Sequence, residues 1–261
     1  MAYPHLFLPN PRPESHKGQN GVILIIGGSK TYHGAPILAA LAAVRFCDLV
    51  YFSSTGENNS AIKQMKRTTP NAICIPGSKR KEFMQKADCI LVGNGMDVDE
   101  RTRSLVSSVL KMKKKCVIDA AALRVVKKEQ LHPKVILTPH ILEFRACFGV
   151  PASVKSAAAM SKKYSCTILL KGKTDILASQ GKLVHITGGN AGMTKGGTGD
   201  VLAGLACALY SRTDSSIQAA YTAAFLNKRS GELLFRIFGP NYSSEDLADE
   251  LIYVAAAARW L

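Results

Sequence analysis

Seven short apolar runs, rich in β-branched residues, constrain this chain more than any other feature. They are Val22–Gly27, Leu49–Phe52, Ala72–Ile75, Cys89–Val92, Cys116–Asp119, Val135–Thr138 and Thr167–Lys171. Each is four to six residues long, is apolar except at an end, and is bounded by polar residues or glycine. A strand with water on one face alternates apolar and polar residues. An unbroken apolar run is buried on both faces, as in a mostly parallel sheet with helices above and below. The stretches between the runs are long enough for crossover helices, so the expected fold class is a three-layer α/β/α arrangement around a mostly parallel sheet.

Helical periodicity supports this reading. Asp99 to Met112 places Leu105, Val106, Val109 and Leu110 on one side, with Asp99 as a candidate N-cap. Late in the chain, Asp175–Ala178 and Leu183–Thr187 flank Ser179-Gln180-Gly181-Lys182, a tight-turn signal for an antiparallel hairpin. Only helices are expected after Thr187. Val201–Tyr210 is apolar almost all round and is expected to be buried, while Ser216–Phe238 and Ser243–Leu261 carry apolar stripes expected to lie against the sheet. No Pro/Ser linker divides the chain. One domain over residues 1–261 is expected, with residues 1–20, rich in proline, as an extended arm.

The 34 Lys and Arg against 19 Asp and Glu leave a net charge of +15, compatible with nucleic acid, anionic lipid or phosphorylated ligands. The basic clusters (79–81, 111–115, 127–128, 162–163) sit at predicted element ends without interleaved aromatics. A nucleic-acid reader would show a stacking platform or a continuous basic stripe, so steering of polyanionic nucleotides fits better. Nothing in the sequence reads as a signal peptide or a transmembrane helix. The seven cysteines are scattered singly with no C-x-x-C pair, and the six histidines show no ligand spacing. Reduced core thiols, no protein-held metal site and a cytoplasmic location are therefore expected.

The chemistry concentrates in Lys195-Gly196-Gly197-Thr198-Gly199-Asp200, directly before the apolar helix. Glycines at a helix N-terminus can turn their N–H groups toward one point and cradle a phosphoryl group, and Asp200 would face the same spot as a candidate general base. Asp200 as a simple helix cap is the structural alternative. The segment is not a Walker A loop, whose Lys follows the last glycine, nor a dinucleotide fingerprint, which follows a strand. His140, after Pro139 and three residues before Glu143, suits either a substrate contact or a capping pair. Lys171 ends a buried run and needs an anionic partner, either a nucleotide phosphate or the nearby Asp175.

Several blocks together carry a family resemblance: Gly27-Gly28-Ser29 with Gly34-Ala35-Pro36, Gly93-Asn94-Gly95-Met96, Thr138-Pro139-His140 with Glu143, Lys171-Gly172-Lys173-Thr174, and Gly192 through Asp200. In this order they resemble the nicotinamide-nucleotide-hydrate dehydratases, which have the ribokinase-like fold and repair hydrated NADH and NADPH. The resemblance implies that Ala35, Gly95, His140 and Asp200 line the hydrated dinucleotide (NADHX or NADPHX). It assigns Lys171, Gly172, Lys173, Thr174 and Asp175, with Gly196, Gly197, Thr198 and Gly199, to the adenine nucleotide. It further implies ADP or ATP as co-substrate, a magnesium requirement, a homo-oligomer such as a tetramer, and a stand-alone dehydratase lacking the epimerase domain fused in many prokaryotic relatives. A vitamin-precursor kinase of the same fold is the competing enzyme class. Two positions depart from the pattern: Asp119-Ala120-Ala121 stands where the family commonly reads Asp-Ala-Asp, and Asp97 stands where a glycine often closes the Gly93 block.

Overall fold

The computed structural model describes residues 5–54 and 59–259, with side chains described outside 59–61. Nine strands form one sheet in the order β3-β2-β1-β4-β5-β6-β7-β8-β9. They are β1 (Val22–Gly27), β2 (Leu49–Ser54), β3 (Ala72–Cys74), β4 (Cys89–Val92), β5 (Lys115–Ile118), β6 (Val135–Leu137), β7 (Thr167–Leu170), β8 (Asp175–Ser179) and β9 (Lys182–Ile186). β1 to β7 pair in parallel, whereas β8 runs antiparallel to both β7 and β9. All seven expected runs are strands, and the hairpin turns through Gln180 and Gly181 with φ of 47° and 81°. Two successive left-handed residues give the turn a twist that matches the flanking strands.

The unbroken apolarity of the strands has the expected cause. Side chains alternate across a strand, so Ile23 and Ile25, Leu91, Val117, Ile136 and Leu169 fall into one core. Leu24 and Ile26, Ile90 and Val92, Ile118, Leu137 and Ile168 fall into the other. The first core is closed by α1 (Gly34–Ala43), α2 (Asn59–Thr68), α8 (Thr198–Ser211), α9 (Ser216–Phe238) and α10 (Ser244–Ala258). The second is closed by α3 (Arg80–Lys86), α4 (Glu100–Lys111), α5 (Ala121–Val125), α6 (Ile141–Phe148) and α7 (Val154–Tyr164). Asp99 caps α4 as expected, accepting a hydrogen bond from the Thr102 N–H.

α8 is the central helix of its layer, touching β1, β4 and β5 on one side and α1, α9 and α10 on the others. That is why it is apolar all round. At Gly204 a Cβ would stand 2.1 Å from the Ala39 carbonyl oxygen, so only glycine permits this approach of α8 to α1. α10 corrects one expectation: its apolar stripe packs chiefly on α9, α1 and α8, because α8 and α9 already occupy the sheet face. The N-terminal arm lies along the body, where Leu6 and Leu8 pack against the first core and the Phe7 N–H donates to Thr222 Oγ1 at 2.8 Å.

The direction of each strand positions the site. β2 and β3 extend the sheet to one side of β1 and the remaining strands extend it to the other, so the order reverses between β1 and β4. In open α/β sheets such a switch point leaves a crevice at the carboxyl ends of the strands. Asn94 lies two residues past β4, while Asp119, Thr138 and Lys171 lie one residue past β5, β6 and β7.

Candidate active site

The loops after β1 and β4 interlock at the switch point. The Gly28 N–H donates to the Asn94 carbonyl at 2.8 Å, and a Cβ on Gly27 would stand 2.4 Å from that same oxygen. Gly95 adopts φ 68°; a Cβ there would lie 2.2 Å from the Tyr32 carbonyl oxygen and 3.2 Å from Ala35 Cβ. Ala35 and Gly95 are thus neighbours. Asp97, the second departure, is exposed, so it does not narrow the inside of this loop.

Asn94 is fully buried, and its Nδ2 donates to Asp200 Oδ1 at 2.6 Å and to Asp119 Oδ2 at 3.0 Å. Two carboxylates facing one amide require its NH2 end, which fixes the orientation of the group. Among the described residues Asn94 Oδ1 has no hydrogen-bond partner. Asp119 also accepts from Thr138 Oγ1 at 2.8 Å and from Lys171 Nζ at 3.0 Å, both through Oδ1. Lys171 Nζ lies 3.7 Å from Glu143 Oε2 as well. Two carboxylates therefore pair with one ammonium, and Asp200 is near enough to feel its charge.

The electrostatics follow. Burial pushes Asp200 up to about 6, the Asp119 charge adds to the rise, and the Asn94 hydrogen bond and Lys171 pull the other way. Burial works against the Lys171 ammonium, but Asp119 and Glu143 outweigh it and hold its pKa above the usual lysine value. Asp200 is the third residue of α8, whose N-cap is Gly197 at φ 98°. Its Oδ1 is held by Asn94 from another loop, so the simple-cap alternative fails. Lys171 forms its ion pairs with Asp119 and Glu143 rather than with Asp175, which corrects the local-partner expectation. Asp175 accepts from the Gly172 N–H at 2.8 Å and pairs with Lys228 at 3.2 Å.

Beside this cluster lies a cavity of about 610 Å³. Its walls include the expected His140, Lys171, Gly172, Lys173, Asp175, Thr198 and Gly199, together with the 188–194 loop and Asn227 and Lys228 of α9. A Cβ on Gly199 would stand 3.3 Å from Lys171 Nζ, so the cavity meets the carboxylate cluster at the start of α8. Thr174, Gly196 and Gly197 are not among the lining residues. Gly197 packs against Leu38 and Ser244, and Gly196 accepts a hydrogen bond from Ser244 Oγ at 2.7 Å. Lys195 also serves the loop, donating to the carbonyls of Pro240 and Tyr242 at 2.6 Å each.

His140 forms the capping pair. Its Nδ1 accepts from the N–H groups of Leu142 and Glu143, and Glu143 Oε2 accepts from the His140 N–H, completing a capping box at the start of α6. The ring nevertheless borders the cavity. Asn94 and Asp119 were visible in the sequence only as members of a glycine block and as a departure from a motif. Lys228 was not singled out, although it falls at helical spacing on the same stripe as Ala220, Ala224 and Gly231, where a charge is out of place. Ala121, the other departure, opens α5 and packs in the second core.

A buried carboxylate in the first turn of a helix, beside a cavity at the switch point of a mostly parallel sheet, defines a ligand-binding site of the open α/β class. The sequence profile of the NAD(P)H-hydrate dehydratases matches residues 23–253, and the chain belongs to that family. It is 34% identical to the ADP-dependent (S)-NAD(P)H-hydrate dehydratase of Cenarchaeum symbiosum, over 94% of this chain and 92% of that one. The ADP/ATP-dependent NAD(P)H-hydrate dehydratase of Bacillus subtilis, crystallised with ATP and Mg2+, superposes with a TM-score of 0.86 at 27% identity, over 96% and 94% of the two chains. A ribokinase-like superfamily protein of Enterococcus faecalis shares the fold with a TM-score of 0.87 at 23% identity, over 96% and 92% of the two chains.

Proposed function

We propose that this chain dehydrates the S hydrates of NADH and NADPH (NADHX and NADPHX), at the expense of ADP or ATP. The observation that carries the reading is Asp200, raised to about 6 and held by Asn94 where the switch-point crevice meets the nucleotide-sized cavity. Hydroxide is a poor leaving group at neutral pH, and phosphorylation of the hydrate hydroxyl turns it into a good one. Asp200 takes the hydroxyl proton as the oxygen attacks the terminal phosphorus. The new O–P bond forms as the bond to AMP (from ADP) or to ADP (from ATP) breaks. The ring nitrogen lone pair then expels phosphate, and loss of a ring proton restores the dihydropyridine.

In this reading the Ala35–Gly95 contact forms the floor under the nicotinamide end, and the cavity lined by residues 171–175 and 188–194 takes the adenine nucleotide. Amides at the start of α8 and Lys171 carry the charge of the transferred group. Among the described residues no group of three His, Cys, Asp or Glu side chains is arranged to hold a metal ion. The excess of carboxylates at Asp119, Glu143 and Asp200 over Lys171 fits a cation that arrives on the nucleotide phosphates and keeps its waters. Magnesium in that position would neutralise phosphate charge.

We also propose a homo-oligomer, supported by exposed Ile141 and Leu142 on α6 and Ile237 and Phe238 on α9. Among the described residues no helix is long and apolar enough to cross a membrane. Seven unpaired cysteines support a reducing, cytoplasmic setting. The deciding experiment is recovery of the near-ultraviolet absorbance of reduced nicotinamide from its hydrate. The expected result is recovery only with ADP or ATP present, with release of inorganic phosphate. A phosphorylated product that accumulates instead would make the chain a small-molecule kinase.

A further inference from the structure

Lys228 is a lysine on α9 whose side chain is only 8% exposed. Nζ donates to the Gly172 carbonyl at 3.0 Å and to those of Lys173 and Gly188 at 3.2 Å, and stands 3.2 Å from Asp175 Oδ1. Three of the four oxygens come from two loops that line the cavity, one after β7 and one after β9, and the fourth belongs to Asp175 at the start of β8. With every proton of the ammonium engaged, Lys228 has none left for a ligand phosphate.

A ring of carbonyl oxygens plus one carboxylate is also the shell that replaces the water of a weakly hydrated monovalent cation. We propose that Lys228 is a tethered monovalent cation: its ammonium fills an oxygen cage that would otherwise take K+ or NH4+, and filling it holds the two nucleotide loops together. The inference rests on the adenine-nucleotide reading of the cavity. Without a positive charge, three carbonyl dipoles and the Asp175 carboxylate converge on one point and repel, so the loops part and the nucleotide wall is lost. Lys228 is then a positioning residue, acting on the nucleotide through the backbone of residues 172, 173 and 188. The native protein carries its own cation and has no need of K+.

The test is Lys228→Met, which keeps the stem and removes the charge, in a buffer whose only alkali cation is Na+. Nucleotide binding is measured by calorimetry with ADP and with ATP, and folding by far-ultraviolet circular dichroism. The expected result is affinity weakened roughly 10–100-fold, the loss of a charged hydrogen-bond set. K+ or NH4+ restores it, tetramethylammonium does not, and the wild type is indifferent to all three. Affinity equal to wild type in Na+ overturns the proposal, and so does weak binding in a folded variant that no cation restores.

Should Lys228→Met not fold in Na+, the same comparison is made on Lys228→Gln by thermal unfolding. A Tm raised by K+ or NH4+ beyond that in Na+ supports the cage, and identical Tm values overturn it. Failure of the wild type to bind either nucleotide would instead sink the functional reading, and the Tm comparison would still decide the cage.

Discussion

The two buried lysines beside the cavity show opposite solutions to one problem. Lys228 sits among three backbone carbonyls and a single carboxylate, a closed shell that neutralises it and ties two loops. Lys171 sits among side-chain carboxylates, with Asp119 and Glu143 in reach and Asp200 close enough to feel its charge. The first region is saturated and has nothing left to offer a reactant. The second is over-supplied with negative charge, which adds to burial in driving Asp200 toward neutral pH, and among the described residues Asn94 Oδ1 there has no partner. Rigid walls and reactive groups stand side by side because one lysine is fully committed and the other is outnumbered.

The strongest way to break this contrast is Asp200→Asn. Turnover is expected to fall about 10²–10⁴-fold, the range of a positioned general base, while ADP and ATP affinity stays within a few-fold. Nucleotide-dependent dehydration measured beside calorimetric binding checks this, and unchanged turnover would remove Asp200 from the chemistry. The same variant should gain stability at neutral pH. A carboxyl whose folded pKa lies above its unfolded value binds more protons when folded, so stability is lost as pH rises between 3.8 and about 6. Asn carries no such cost, and a gain of up to about 3 kcal/mol at pH 7.5 should vanish near pH 3.

Next in size is the pH profile of the native protein. The base must be ionised in the free enzyme, so kcat/KM should fall tenfold per unit below pH about 6. Profiles flat down to pH 5 would contradict the raised carboxyl. Nucleotide affinity, which depends on the saturated Lys228 region, should change far less over the same range.

Asn94→Leu sharpens the comparison further. It removes the amide that both Asp119 and Asp200 share and leaves their charges facing each other. The acid limb should move up by roughly one pH unit, the worth of one charge-assisted hydrogen bond, with nucleotide affinity unaltered. An acid limb that stays in place would mean that burial alone sets Asp200.

The smallest effect is expected at Ala120, which joins Asp119 to α5 with φ 50° and ψ −126°, a region natural to glycine. Ala120→Gly should relieve that strain and raise the Tm by a few degrees, net of the added freedom of the unfolded chain. A drop in Tm would show that the backbone there is not strained.

Much of this molecule was legible without coordinates. Strand runs announce themselves by continuous apolarity, because a strand covered on both faces has few positions that tolerate a polar side chain. The Gln180–Gly181 turn and the Asp99 cap are equally local, since each is decided within four residues. The Gly196–Asp200 turn marked the start of α8 for the same reason.

What the sequence determined by itself is whatever is decided by near neighbours along the chain: the strands, the buried character of α8, and the His140–Glu143 capping box. The tertiary structure alone decided who meets whom across the sheet. Asp119 rather than Asp175 became the partner of Lys171, Asn94 came to hold Asp200 across 106 residues of chain, and Lys228 closed two loops 40 and more residues away. Charge interactions fall off with distance in space, not along the chain. The pKa of Asp200 therefore exists only once β4, β5, β7 and α8 have brought their ends to one place.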